Sequence, residues 1–439
     1  MSGMAVAVLG FVVMLVLIAA RMPVGLAMLV TGSGGYVYLS SLPAFLNYIK
    51  TTPYFLFSNY TLSVIPLFIL MGAFAERSGL ATDLFRAASG FVGHMRGGLA
   101  MAVIGACTGF GAICGSSVAT TATFGRAALP ELRRYRYGEG LATGVIAVGG
   151  TLGILIPPSV ILVVYAISTE QNIAKLFQAA LFPGLLATLF YCIVIAIVVR
   201  RDPDAAPPHA PVPSRERWRA LVLVWPALLI AVAVVGGIYG GIFTPTEGAS
   251  VGAVGMFAIG VVRGSLPWRE IRTSLLQTAE TAALIFAILL GAEVFNAFLA
   301  LSQLPTFAAT SLAETGLPPY AILVGLLAFY ILLGAVMDEL AMILLTLPVF
   351  FPIVSALDFG LPPDEVAIWF GILVLVVVGI GLTAPPIGLN VFVVSAIARD
   401  VPILKTYRGV LPFVAADVIR LSLCVAFPAI SLALVRWLT

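Results

Sequence analysis

Thirteen apolar stretches follow one another along this chain, at about 4–20, 24–43, 62–76, 99–119, 141–168, 177–199, 220–242, 245–262, 275–302, 319–336, 340–357, 366–397 and 411–435. A helix needs about 20 mostly apolar residues to cross a bilayer, and most of these stretches supply them. A soluble chain of 439 residues would divide into about three domains, each coated with charge. Here only 10% of the residues are charged and 61% are hydrophobic. Soluble domains carry about 25% charged residues, and disorder needs low hydrophobicity. The sequence therefore predicts an all-α polytopic protein embedded in a lipid bilayer. A net charge of +3 without a basic stripe gives nucleic acid no footing. Cys107, Cys114, Cys192 and Cys424 lie in apolar stretches with no CxxC pair, and His94 and His209 fall in expected loops. No disulfide framework, zinc site or other cofactor is expected. Arg21 follows the first stretch where a cleavage site would stand, so that stretch reads as a membrane helix rather than a signal peptide.

Basic residues fix an expected topology. Arg77, Arg86 and Arg96 lie in one loop, and Arg126, Arg133, Arg134 and Arg136 in the next. Arg200 to Arg219 flank a Pro-rich linker at 202–214, and further basic groups lie at 263–272 and 399–408. The positive-inside rule places all five in the cytoplasm. The stretch 99–125 must then enter and return from the cytoplasmic side as a re-entrant hairpin, and 319–357 must do so from the opposite side. Both termini are expected outside.

Two hairpins of opposite orientation imply two inverted halves. Pro23 and Gly25 answer to Pro245 and Gly248 at offsets of 222 and 223, Ser116 answers to Asp338 at 222, and Pro157-Pro158 answers to Pro385-Pro386 at 228. Recurrence in one order at one spacing is the signature of an inverted repeat. The expected organisation is a first repeat over 1–201 with a hairpin at 99–125 and a broken helix at 141–168, a cytoplasmic linker at 202–219, and a second repeat over 220–439 with a hairpin at 319–357 and a broken helix at 366–397.

The breaks follow from proline. Within a helix it removes a hydrogen bond and clashes with the preceding turn, at about 3 kcal/mol. Gly149, Gly150, Gly153, Pro157, Pro158 and Ser159 interrupt the first long stretch; Gly381, Thr383, Ala384, Pro385, Pro386, Gly388 and Asn390 interrupt the second. Unwound backbone at membrane depth persists only inside protein or beside a wet cavity. Its carbonyls can hold Na⁺, and the new helix N-termini can face an anion. The first hairpin tip offers Ser116, Ser117, Thr120, Thr121 and Thr123 as oxygen donors. The second offers Asp338 and Glu339, and a carboxylate at that depth is expensive enough to imply function, although capping of the following helix also accounts for Asp338. Glu247 reads as a helix-start carboxylate, Glu280 and Glu293 as cavity or partner residues, and Asp417 with Arg420 as an i,i+3 ion pair. No lysine or arginine stands at a tip or break, so an anionic substrate would need bound cations, helix dipoles and amides. No phosphate loop and no catalytic Ser/His/Asp or Cys/His set is present, so the chain is not expected to be an enzyme.

These residues resemble the large membrane subunit of tripartite ATP-independent periplasmic (TRAP) transporters along essentially the whole chain. RMPVGLA near residue 21, IPLFILMGAF at 65–74, HMRGGLAMA at 94–102, GSSVATTA at 115–122, GTLGILIPPSV at 150–160, YGGIFTPTEGAS at 239–250 and APPIGLNVFV at 384–393 carry the likeness. The resemblance implies an ion-transporter-like elevator fold in a bacterial or archaeal inner membrane. It implies a small four-helix membrane subunit, a periplasmic substrate-binding protein and Na⁺ as coupling ion. It also implies Na⁺ near Ser116, Ser117 and Gly153, in a region running from Ser116–Thr120 to Gly150–Ser159 and including Thr151. A second Na⁺ would lie near Asp338, Thr383 and Asn390. Where related sialic-acid members carry a methionine-glutamate-proline tip, this chain has Met337-Asp338-Glu339, and their TPP is Ala384-Pro385-Pro386, with Thr383 one place earlier. A chain of this length leaves no room for a fused small subunit. The reading that fits best is the large permease of a Na⁺-coupled, binding-protein-dependent importer of organic acids such as C4-dicarboxylates. A stand-alone ion-coupled carboxylate carrier, an intramembrane enzyme and a non-transporting scaffold are the alternatives.

Overall fold

A computed structural model describes residues 2–314 and 316–438, and every regular element in it is helical. The elements are α1 (Gly3–Ala19), α2 (Val24–Leu39), α3 (Leu42–Phe57), α4 (Val64–Arg77), α5 (Leu80–Val92), α6 (Gly98–Cys114), α7 (Ser117–Arg134), α8 (Glu139–Leu155), α9 (Val160–Ser168) and α10 (Ile173–Arg201). After the linker come α11 (Ser214–Tyr239), α12 (Pro245–Val262), α13 (Trp268–Ser302), α14 (Leu304–Glu314), α15 (Pro319–Gly334), α16 (Glu339–Ser355), α17 (Pro363–Gly381), α18 (Leu389–Ile397), α19 (Ile403–Ala426) and α20 (Ala429–Leu438). Among the described residues, seven helices are long and apolar enough to cross a membrane, or eight if α8 and α9 count as one bent span. Turns and breaks cut the other expected stretches into shorter helices.

Several boundaries depart from expectation. The basic segment 77–98 contains α5, a 13-residue helix that buries Leu80, Leu84 and Phe85 and leaves Arg86 outward. Its polar face hides it from a hydropathy reading. Likewise α3 and α14 occupy segments expected as connections, and the last stretch divides at Phe427-Pro428 because proline cannot continue α19. Glu247 does begin a helix, in a capping box with Thr244.

Two helices form the innermost layer. In α8 the residues Leu141–Leu155 are buried, and in α17 the residues Val366–Gly381 are. A helix apolar on every side is stable only when surrounded. Around this pair stand α6, α7, α10, α15, α16, α18 and α19. A second group, with α2 against α13 and α4 against α12, lies beside them. Its outward surface carries exposed Val8, Leu9, Tyr54, Phe55, Val232 and Val262. Such a surface is tolerated in lipid and not in water.

Candidate functional site

The two helical hairpins end alike. The α6–α7 turn passes through Gly115 at φ 64°, a left-handed conformation that favours glycine. Ser116 then caps α7, its hydroxyl accepting from Ala119 N at 3.4 Å, and Ser117 is the first helical residue. At the other turn Asp338 caps α16, accepting from Leu340 N at 3.1 Å and Ala341 N at 3.0 Å, and Glu339 is the first helical residue. The tips meet: Ser117 Oγ donates to Glu339 Oε2 at 3.0 Å, across 222 positions of sequence.

The first tip also packs on α8, where two glycines permit the approach. A methyl group on Gly153 would stand 2.6 Å from the Ser116 carbonyl and collide with Thr120 Oγ1; one on Gly150 would stand 3.0 Å from the Ser117 carbonyl and collide with Thr121 Oγ1. Thr120 Oγ1 donates to the Ser116 carbonyl at 2.7 Å. Ser116, Ser117, Thr120, Gly150 and Gly153 are thus gathered in one oxygen-rich contact. Thr151 turns away from it, donating to Val148 O at 2.7 Å and sharing a hydrogen bond with Tyr191 Oη at 3.1 Å. Tyr191 Oη in turn donates to Asp417 Oδ2 at 2.7 Å, and Asp417 pairs with Arg420 at 2.8 Å in the buried core. The expected i,i+3 pair exists; its link to the break through Tyr191 had no sequence signal.

At the first break, Ile156–Ser159 separate α8 from α9, which are bent by 44°. Pro157, Pro158 and Ser159 are buried, and the Gly115 turn lies against the Pro158 carbonyl and Ser159. The hydroxyls of Ser159 and Thr121 are buried without a hydrogen-bond partner. Leaving such a group unpaired costs about 1–3 kcal/mol, which a bound ion or ligand would offset. Oxygen donors of this kind fit a hard cation such as Na⁺.

The second break runs from Leu382 to Gly388, and the Pro-Pro bonds of the two breaks, Pro157-Pro158 and Pro385-Pro386, are cis. Thr383 and Ala384 are buried, but Pro385, Pro386 and Ile387 are exposed. Tyr407 Oη donates to Pro386 O at 2.9 Å and to Ile387 O at 2.5 Å, and Ile387 N donates to Ala335 O at 3.3 Å. Thr383 Oγ1 bonds back into its own helix, at 3.1 Å from Ile380 O. Asn390 Nδ2 donates to Ala147 O of α8 at 3.1 Å, while its Oδ1 is buried without a partner. Among the described residues, Asp338 spends its hydrogen bonds on its own helix start and makes none to Thr383 or Asn390.

A cavity of about 150 Å³ separates the tips from α4 and α13, bordered by Glu76, Ser116, Gln277, Thr281, Glu339 and the start of α9. Glu76 pairs with Arg126 of α7 at 2.7 Å and borders a further, more open recess beside Arg126. Towards the far ends of α9 and α16 a wide cleft of about 910 Å³ opens against α3 and α13, with Thr51, Asn59, Glu170 and Glu293 on its walls. Sequence reasoning missed Glu76, Gln277 and Thr281, since Glu76 stands beside Arg77 at the end of α4 and Gln277 and Thr281 lie in the polar first half of α13.

The sequence profile of the family described as Tripartite ATP-independent periplasmic transporter, DctM component, matches residues 11–430. The C4-dicarboxylate TRAP transporter large permease protein DctM of Pseudomonas aeruginosa is 39% identical over 383 residues, 87% of each chain. The isethionate TRAP transporter permease protein DctMQ of Oleidesulfovibrio alaskensis is 31% identical over 414 residues, 92% of this chain and 62% of that one. Among solved structures, the Alcanivorax borkumensis YdaH transporter superposes with a TM-score of 0.58 at 17% identity, covering 88% of this chain and 89% of that one, a likeness of fold.

Proposed function

Because this chain belongs to the DctM-component family of tripartite ATP-independent periplasmic transporters, we propose that it imports a small organic acid by Na⁺-coupled movement of its hairpin-and-break bundle against a fixed scaffold. The observation that carries the reading is the Ser117–Glu339 contact. Its partners hold the same place on two hairpins, 222 residues apart, which is the offset of the Ser116 and Asp338 caps. Two halves inserted with opposite orientation bring equivalent tips together at their shared axis. In this reading 1–201 and 220–439 are the inverted repeats, joined by the linker at 202–219, and the hairpins are re-entrant.

The bundle comprises α6–α10 and α15–α19; the scaffold comprises α1, α2, α4 and α11–α13. The substrate lies where they face each other, in the cavity below the tips. One Na⁺ would be held by oxygens of Ser116, Thr120 and the Gly150–Ser159 segment, and a second by the Thr383–Asn390 segment. Their charge and the helix N-termini of α7, α9 and α16 offset the substrate carboxylate. Glu76 with Arg126 links scaffold to bundle on the side rich in basic loops, and the wide cleft opens on the other. The membrane orientation, with both termini outside, follows from those loops. The relatives' names support C4-dicarboxylates or another small acid as cargo, and the fused DctMQ relative supports a separate small membrane subunit as partner, with a periplasmic binding protein completing the system.

The test is uptake into liposomes holding the chain with its small subunit, with binding protein outside. An imposed Na⁺ gradient should drive accumulation of a labelled carboxylate, and removing the binding protein should abolish it. Uptake indifferent to Na⁺ overturns the coupling, and uptake without binding protein favours a stand-alone carrier.

A further inference from the structure

We propose that Tyr191 is a positioning residue for the first break. Its hydroxyl carries the placement of the buried Asp417–Arg420 pair to Thr151, and so sets how closely α8 lies on the oxygens of the first hairpin tip. The inference rests on the transport reading above and adds to it a residue that touches neither ion nor substrate.

The contact between α8 and the tip has little of its own to fix it. On the α8 side stand Gly150 and Gly153, with no side chains to interlock with the Ser116 and Ser117 carbonyls. Interlocking side chains ordinarily set the spacing and register of packed helices. A glycine face leaves both to be set from the opposite side of the helix. At about 100° per residue, Thr151 stands about 100° round from Gly150 and about 160° from Gly153, on that opposite side.

Behind Thr151 the structure supplies a rigid support. Tyr191 Oη lies 3.1 Å from Thr151 Oγ1 and donates to Asp417 Oδ2 at 2.7 Å. The phenol has one proton and spends it on Asp417, so towards Thr151 it is the acceptor. Asp417 pairs with Arg420 at 2.8 Å, and Arg420 Nη1 donates to Pro183 O of α10 at 3.3 Å. The Tyr191 ring stands edge-on to Phe413, with centroids 5.7 Å apart. All four side chains of the chain from Thr151 to Arg420 are buried. A well-packed apolar pair would be about as stable as the buried ion pair. What the charges add is direction, because in apolar surroundings they tolerate few arrangements, and the phenol hydroxyl is pinned to one of them. Farther down α8 the support is direct: Gly144 packs backbone to backbone on Gly409 of α19, and Thr406 Oγ1 donates to Thr143 Oγ1 at 3.0 Å. At the level of the tip the bridge from α19 runs through Tyr191.

The experiment is thermal unfolding of the permease, purified with its small subunit and without substrate, as NaCl replaces choline chloride. Tyr191→Phe should raise the Na⁺ concentration for half-maximal stabilisation roughly threefold to tenfold, the size of one hydrogen bond. Thr151→Val should do the same, and the double variant should be no worse than the larger single, since both remove one link. Should Tyr191→Phe not fold, Thr151→Val decides alone. The matched control is Tyr239→Phe, which loses a hydrogen bond to Phe177 O at 2.7 Å, fourteen residues before Tyr191 on α10 and about 21 Å away. It should leave the half-maximal concentration within about twofold. No shift in Tyr191→Phe, an equal shift in Tyr239→Phe, or additive shifts in the double variant overturn the inference. Hydrogen exchange of residues 148–156 in Na⁺-free buffer reads the placement without the ion. It should quicken in Tyr191→Phe and not in Tyr239→Phe, and equal exchange in the two overturns the inference. A wild type that Na⁺ does not stabilise would count against the Na⁺-coupled reading instead, and the exchange comparison would still decide the role of Tyr191.

Discussion

The two proline breaks carry the same dipeptide and differ in what covers them. Pro157 and Pro158 are buried, with the Gly115 turn laid over them and α8 pressed against hairpin oxygens. Pro385 and Pro386 are exposed, and Tyr407 Oη donates to the carbonyls of Pro386 and Ile387. Behind the first break a buried chain of Thr151, Tyr191, Asp417 and Arg420 ties α8 to α10 and α19. The second is secured by Tyr407, by the Ile387 amide on Ala335, and by Asn390 reaching to α8. The contrast separates a break packed in on all sides from one that is exposed and held by a few hydrogen bonds.

The largest effect expected is at Gly153. A leucine there must displace the Ser116 carbonyl, and misplacement of a binding group by about 1 Å can cost about 100-fold. Initial uptake should fall by that order in Gly153→Leu, while Ile387→Ala at the exposed break should change it by less than about threefold. Equal losses would erase the distinction. Next is Asp417→Ala, which strands Arg420 in the core; removing one partner of a buried pair costs about 3–5 kcal/mol, to be read as a lowered unfolding temperature in detergent. Tyr407→Phe is smaller, about 1 kcal/mol, and should raise the Na⁺ concentration for half-maximal transport without altering the first break. The smallest is at Asp400, outside the apolar segments, whose carboxyl is held below its ordinary range chiefly by the hydrogen bond from Arg133. A carboxylate with a depressed folded-state value contributes stability above its unfolded value and loses it as pH falls through the folded one. Asp400→Asn should lower stability slightly at neutral pH, towards the level the wild type reaches on acidification, and flatten the decline between.

Much of this was legible in the sequence because membrane chains write their constraints in composition. Apolar runs, basic loops and paired prolines placed the helices, tips and breaks. The helix α5 was hidden because a helix with one polar face carries its charges in a pattern that a hydropathy reading treats as a loop. The contact between Ser117 and Glu339 was legible only as an offset, since sequence gives correspondence and not distance. Asp338 and Glu339 looked alike, and only the backbone separates a cap from a residue bordering the cavity. Tyr191 carried no signal because one polar residue on an apolar helix has many ordinary explanations, and Glu76 because it stands beside Arg77 at a helix end.

The account stands or falls on movement of the tips against the scaffold. The most direct measurement places spin labels at Leu70→Cys on α4 and Val118→Cys on α7, outside the cavity lining, with Cys107, Cys114, Cys192 and Cys424 replaced, and follows their separation in liposomes. Addition of Na⁺ with transported substrate should shift the distance distribution between two populations, while a label pair within the scaffold, on α4 and α12, stays fixed. A single unchanging distance between the tip and α4 under active transport would contradict the elevator reading.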